Sequence, residues 1–248
     1  MSFFNSALGA MIGFSIGGPI GGLIGGVIGS RLGATKSRFR TSQNFTNNQK
    51  NQTAFFAALF ACLAKLAKAD GRVSKEEIEK VDTYIRERFN FDKEQRIFAV
   101  KVFNQAKDDQ VSYQEYAAQL ANLLQSNKNA LVVFYELLFE LAMSDGILDP
   151  NEEKLLEEST SIFGIDPNLF VSLKEKYSST VSDPYKILGT TKDMPFNEIK
   201  KKYLKKRREF HPDTLISKGL PDELLERAKE KFIEIQEAFE EIERKKEK

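Results

Sequence analysis

The first 30 residues are apolar and uncharged, and glycine recurs through them with a regular period. Glycine occupies every fourth position from 9 to 33, namely Gly9, Gly13, Gly17, Gly21, Gly25, Gly29 and Gly33. On a helix this period places the glycines along one narrow ridge, which a second helix can approach closely. The pattern predicts an apolar helix over residues 7–30. It would be about 36 Å long, enough to cross a hydrocarbon core of about 30 Å.

The segment 1–34 is therefore interpreted as a glycine-zipper membrane segment that also forms a homo-oligomer through its ridge. In water each glycine would destabilise the helix by about 1 kcal/mol relative to alanine, which argues against a helix outside lipid. Pro19 lies in the middle of the segment, and a break there would give a hairpin at the membrane surface instead. A role without a membrane is the third alternative.

Basic residues lie only on the C-terminal side of this segment. The first four are Arg31, Lys36, Arg38 and Arg40. Because cytoplasmic flanks carry an excess of Lys and Arg, this asymmetry predicts a single-pass protein with its bulk in the cytoplasm. The stretch 35–53 is rich in Asn, Gln, Ser and Thr and is predicted to be a polar linker.

From residue 54 onward the apolar positions recur with helical spacing. The apolar face of the first helix consists of Phe55, Phe56, Leu59, Phe60, Leu63 and Leu66. Helices are predicted near residues 53–69, 75–89, 93–107, 113–126, 128–144, 150–163 and 167–177. No segment alternates as a strand does, so the predicted fold class is all-α. It comprises an apolar N-terminal helix, a helical bundle and a C-terminal helical hairpin.

One stretch of this region returns about 75 residues later, since LAKLAKADGRVSKEEIEKV is matched by LFELAMSDGILDPNEEKLL. Each copy places an Asp-Gly turn, at Asp70 or Asp145, before a new helix. A capping pair follows each turn and consists of Ser74 with Glu77 and of Asp149 with Glu152. The domain is therefore predicted to contain two related helix pairs.

Asp70 and Asp145 are also weak candidates for metal ligands. The ladder of oxygen ligands found in a calcium loop does not follow Asp70, and turn chemistry accounts for these residue types. Residues 54–177 resemble the TerB-like helical domain through the duplicated turn and the helical pattern. The resemblance implies an all-helical domain, some members of which have acidic patches proposed to hold a divalent metal. The positions that match such patches are Asp70, Glu77, Asp145 and Glu152.

Residues 182–248 contain the stretches DPYKILG, IKKKYLKKRREF, HPD and KFIEIQEAFEEI. Their apolar spacing predicts a short helix, a basic amphipathic helix, a turn at His-Pro-Asp and a long final helix. Pro212 ends the basic helix and restricts the backbone there. An enzymatic interpretation would make His211 a general base oriented by Asp213, but it needs a nucleophile or substrate pocket, and none is identifiable.

These stretches resemble the J-domain of DnaJ-like proteins over residues 182–248. The resemblance implies neither an enzyme activity nor a cofactor, because J-domains dock on a DnaK-type chaperone and stimulate its ATP hydrolysis. By resemblance the trigger consists of His211, Pro212 and Asp213. Docking positions on the basic helix are Lys200, Tyr203 and Lys205.

The charge distribution and the counts of histidine and cysteine bear on nucleic-acid binding, metal binding and disulfide formation. The chain has 37 basic and 36 acidic residues, but seven positive charges lie within Lys200–Arg208. Such a field steers association with an acidic surface, and without interleaved aromatics it does not favour nucleic acid. With one histidine and one cysteine, a single chain builds neither a His/Cys metal cage nor an internal disulfide.

The order of the three parts resembles the DjlA-type membrane-anchored DnaJ-like proteins of bacteria. This implies a co-chaperone, associated with stress responses, that is tethered to the bacterial inner membrane. It would recruit a DnaK-type chaperone to the cytosolic face. The alternative is a scaffold that responds to membrane stress or metals through residues 54–177.

Overall fold

The computed structural model describes residues 16–29, 47–69, 71, 73, 75–89, 91–125, 127–143, 148–178, 183–217 and 225–246. The first eight helices are α1 (Gly18–Gly29), α2 (Asn47–Ala67), α3 (Lys75–Arg88), α4 (Lys93–Asp108), α5 (Tyr113–Leu123), α6 (Lys128–Ala142), α7 (Pro150–Phe163) and α8 (Asn168–Ser178). The last four are α9 (Pro184–Leu188), α10 (Phe196–Glu209), α11 (Pro212–Ser217) and α12 (Leu225–Lys246). These ranges contain no strand, and the predicted all-α class is confirmed.

Helix α2 is the centre of the helical domain, which we define as α2 to α8. Every residue from Ala54 to Ala64 is buried, because α1, α4, α5, α6 and α7 all pack around this helix. A helix that is apolar on all sides is stable in water only when neighbours cover it in this way. Helix α2 begins at Asn47, so its first turns lie inside the segment 35–53 that was predicted to be a linker.

Reciprocal capping boxes begin three of the helices described in this domain. Asp92 with Gln95 begins α4, and Ser112 with Glu115 begins α5, each as a reciprocal capping box. The box predicted for the second sequence repeat is confirmed, since Asp149 caps α7 and Glu152 accepts a hydrogen bond from the Asp149 backbone N–H. Its counterpart at Ser74 lies outside the described residues.

The prediction of a spanning helix over residues 7–30 is not supported in the part of that segment which the structure describes. Helix α1 has 12 residues, which corresponds to about 18 Å, and no helix among the described residues is long and apolar enough to cross a membrane. Gly17 and Gly18 have φ angles of 64° and 59°, a left-handed conformation that a right-handed helix cannot continue through. Gly9 and Gly13 lie outside the described residues.

Helix α1 packs on the helical domain, where it contacts α2, α4 and α5. The predicted glycine zipper is not supported by this arrangement. Gly21 is buried, whereas a Cβ atom added at Gly25 would meet nothing within 4 Å. Hydrophobic side chains of α1, rather than a glycine ridge, therefore make its main contact.

The C-terminal module, α9 to α12, is a helical hairpin closed by a short helix. Helices α10 and α12 pack together and α9 contacts both. The small core contains Tyr185, Leu188, Ile199, Ile235 and Phe239, each at most 6% exposed. This hairpin holds the turn between α10 and α11 at one end of the basic helix.

Candidate functional site

The His-Pro-Asp turn is fixed by backbone hydrogen bonds on both sides. Phe210 caps α10 and donates its N–H to the carbonyl of Lys206 at 2.8 Å, while Leu215 donates to the carbonyl of His211 at 3.1 Å. Pro212 is the first residue of α11, where its restricted φ suits a helix and its missing N–H costs nothing. The loop is therefore a short rigid link between two helices.

His211 and Asp213 do not form a base-and-orienter pair. The Asp213 backbone N–H donates to Nδ1 of His211 at 3.3 Å, so this nitrogen acts as an acceptor. Its distance to the Asp213 carboxylate is 3.8 Å, beyond hydrogen-bond range. An oriented general base would instead donate an Nδ1 proton to the carboxylate. The geometry gives no support to the enzymatic interpretation.

Both side chains face solvent. The His211 side chain is 47% exposed and that of Asp213 is 89% exposed. An exposed imidazole and carboxylate on a rigid turn are well placed to contact another macromolecule.

Phe232 of α12 packs against His211, a contact that the sequence analysis did not predict. The His211 ring meets Phe232 edge-on with centroids 5.2 Å apart, and the Arg207 guanidinium lies 5.9 Å from the same ring centroid. Edge-on aromatic contacts and cations near ring faces are both favourable. The sequence could have indicated this contact only through a helix pairing that places residue 232 opposite residue 207.

The basic helix α10 presents most of its charge to solvent. The exposed residues are Lys200, Lys201, Lys202, Lys205, Arg207 and Arg208. Lys202 donates to the carbonyl of Gly189 at 2.6 Å, which ties the helix to the end of α9. The predicted docking residues Lys200 and Lys205 thus lie on the exposed face that leads to His211.

Tyr203, the third predicted docking residue, is half-buried. Its ring stacks on Phe239 with centroids 4.1 Å apart and planes inclined by 6°. The ring therefore helps join α10 to α12.

Lys206 points inward from the same helix. Its ammonium donates to the carbonyl of Ile187 at 2.7 Å. Burial, together with the nearby charge of Lys231, lowers the pKa of Lys206 to about 8.

The C-terminal module rests on the helical domain through an interdomain ion-pair cluster. Arg227 pairs with Glu140 at 2.8 Å, Lys231 pairs with Glu136 at 2.7 Å, and Lys176 pairs with Glu234 at 2.6 Å. The Asn129 amide also donates to the carbonyl of Glu209 at 3.3 Å. These contacts join α6 and α8 of the helical domain to α12 and the end of α10, and they leave the basic face of α10 exposed.

The candidate metal ligands receive no structural support. Asp70 and Asp145 lie outside the described residues, and those that are described contain no group of three or more His, Cys, Asp or Glu side chains able to hold a metal ion. Glu152 is engaged in the cap of α7. Cys62 is fully buried, and burial raises the pKa of its thiol, so it is chemically inert in the folded protein.

Comparisons with known proteins match both parts of the chain. Residues 56–175 match the family model of tellurite resistance protein TerB, and residues 183–248 match that of the DnaJ domain. The chain is 30% identical over 227 residues to co-chaperone protein DjlA of Photobacterium profundum, covering 82% of each chain. It is 28% identical over 235 residues to co-chaperone protein DjlA of Escherichia coli K12, covering 85% of this chain and 86% of that one. No solved structure matches.

Proposed function

Since the chain belongs to the family of DjlA co-chaperones, we propose that it stimulates ATP hydrolysis by a DnaK-type chaperone through its His-Pro-Asp loop. The observation that carries this proposal is the rigid, exposed turn at His211, Pro212 and Asp213, at the end of an exposed cationic helix. The chain acts as a regulator, and the bond cleavage belongs to the partner.

The proposed encounter has two stages, each supported by a physical property of the module. Charges on α10, including Lys200 and Lys205, attract an acidic surface over a distance, which raises the association rate and makes it sensitive to salt. Once docked, the turn presents His211 and Asp213 without a further ordering cost, because Pro212 and the flanking hydrogen bonds already hold the backbone. The partner is then shifted toward the state that hydrolyses ATP.

The proposal also places the protein at the bacterial inner membrane, with its bulk in the cytoplasm. The uncharged first 30 residues and the basic residues that follow them support this location and orientation. The tether would raise the local concentration of the C-terminal module near membrane-associated clients.

Steady-state ATP turnover by a DnaK-type chaperone tests the proposal directly. We expect the full chain to raise turnover several-fold and His211→Gln to return it to the chaperone's basal rate, because glutamine cannot reproduce the imidazole. Circular dichroism should show the same helix content for both proteins, since His211 is exposed. Lys229→Gln, on the exposed side of α12, is the matched control and should stimulate normally. Stimulation by His211→Gln at the wild-type level would refute the proposal.

A further inference from the structure

Helix α1 occupies a groove on the helical domain formed by α2, α4 and α5. The side chains that enter the groove are Ile20, Leu23, Ile24 and Val27, each at most 4% exposed. They form the apolar face of a two-turn stretch and account for most of the large side chains in α1. The groove therefore removes from water the apolar surface that the sequence had suggested for lipid.

Gln119 of α5 makes a paired hydrogen-bond contact with the start of α1. Its amide nitrogen donates to the carbonyl of Gly17 at 2.7 Å, and its amide oxygen accepts from the backbone N–H of Ile20 at 2.7 Å. The first N–H groups of a helix have no partner within the helix itself. A side chain of the domain supplies one here, which hydrocarbon cannot do.

At two exposed glycines of α1, an added side chain would meet the flexible end of a glutamine side chain of the helical domain. A Cβ atom added at Gly26 would stand 2.2 Å from Nε2 of Gln105, and one added at Gly18 would stand 2.9 Å from the Gln119 amide. In contrast, a Cβ atom at Gly22 or Gly25 would meet nothing within 4 Å. Gly18 and Gly26 therefore lie next to side chains of the domain, whereas Gly22 and Gly25 do not.

We propose that this groove holds α1 in a docked state in water, and that a lipid bilayer competes with the groove for α1. The inference rests on the proposed membrane tether and goes beyond it. The four side chains buried in the groove are those that a bilayer would take up, so one copy of α1 cannot satisfy both at once. Leaving the groove would also uncover apolar surface of the helical domain, so the docked state persists until lipid compensates.

A pair of leucine substitutions in the full chain tests the competition. Gln119→Leu removes both hydrogen bonds from the domain to α1, whereas Gln114→Leu changes an exposed position on the same helix, and neither alters α1 itself. In flotation with vesicles of phosphatidylethanolamine and phosphatidylglycerol, we expect the vesicle-bound to free ratio of Gln119→Leu to exceed that of Gln114→Leu several-fold. Equal ratios for two variants that both bind would overturn the docked state.

Disulfide trapping provides a second test. Gly26→Cys with Gln105→Cys should oxidise to an intramolecular disulfide in buffer, and added vesicles should lower its yield. Gly22→Cys with Gln105→Cys is the control and should give little product, because position 22 faces away from the domain. Buried Cys62 does not interfere.

The possible failures are distinguishable. Equal trapping of the two cysteine pairs contradicts docking. A different result is a disulfide formed only by Gly26→Cys with Gln105→Cys, together with no vesicle binding by any variant. That result overturns both the competition with lipid and the proposed membrane tether. Neither result touches ATPase stimulation, which the His211→Gln comparison measures separately.

Discussion

His211 is held in place by its contact with the Phe232 ring and by the backbone of the turn. The ring-to-ring contact at 5.2 Å, and the acceptance of a hydrogen bond by Nδ1, fix the imidazole while leaving about half of it exposed. Asp213 extends into solvent beside it. At this scale the two side chains proposed to contact the chaperone are separate exposed groups on one turn.

Replacing the supporting ring should weaken the trigger without removing it. We expect Phe232→Ala to lower ATPase stimulation several-fold, because His211 loses its edge-on contact and samples more orientations. Phe232→Tyr keeps the ring and should retain most of the stimulation. Nuclear Overhauser contacts between the His211 ring and α11 should weaken in Phe232→Ala and persist in Phe232→Tyr, and the His211 ring proton resonances report on the same change. Unchanged resonances would contradict a positioning role.

At the scale of the element, α10 combines an exposed cationic face with a buried contact to α9 and α12. Ile199 and Tyr203 supply the apolar part of that contact. Lys206 supplies an unusual polar part, since its stem crosses the core edge and its ammonium reaches the carbonyl of Ile187. Most basic side chains of α10 therefore face solvent, whereas the Lys206 ammonium is largely removed from water.

The buried lysine gives stability a defined pH dependence. The folded state lowers the pKa of Lys206 from 10.5 to about 8, so between these values the unfolded chain binds the extra proton. The free energy of unfolding therefore rises with pH across this window, by up to about 3 kcal/mol. Between about pH 8 and about pH 10.5, we therefore expect the unfolding free energy of the wild type to increase relative to that of Lys206→Met.

Urea denaturation of both proteins at several pH values measures this difference. Titratable groups that the two proteins share contribute equally to both unfolding free energies and so drop out of the difference. Lys229→Met, at an exposed position on α12, is the matched control and should show no such change. A flat difference between wild type and Lys206→Met would show that Lys206 is not desolvated.

On the scale of the whole molecule, the two domains are joined face to face by the interdomain ion-pair cluster. Glu136 is 4% exposed, and its partner Lys231 has a side chain only 13% exposed. Breaking one partner of such a pair leaves an uncompensated buried charge and costs about 3–5 kcal/mol. The domains are therefore expected to hold a fixed orientation, with the basic face of α10 outward.

Charge reversal should release the C-terminal module from the helical domain. Lys231→Glu places its carboxylate beside those of Glu136 and Glu234, so we expect a larger radius of gyration in solution scattering and faster amide exchange along α6. The double variant Glu136→Lys with Lys231→Glu restores opposite charges and should recover much of the compact form. Recovery no better than the single variant would show that the pair does not hold the domains.

ATPase stimulation should change little in Lys231→Glu, because the turn and the basic face are exposed in the joined form already. A complete loss of stimulation would mean that the helical domain takes part in contacting the chaperone.

The sequence alone determined the features that depend on neighbours a few positions apart. The all-α class, the Asp149–Glu152 cap and the His-Pro-Asp turn at the end of a basic helix all follow from helical periodicity, capping and proline geometry, which act within about four residues.

Tertiary structure decided what distant parts of the chain do to one another. Gly17 and Gln119 are 102 positions apart, and no local pattern shows that an apolar glycine-rich segment would meet a groove of its own domain. The same holds for Phe232 beneath His211 and for Lys231 against Glu136. Apolar periodicity states that a face must be buried but does not say against what, because burial in protein and burial in lipid both satisfy the hydrophobic effect.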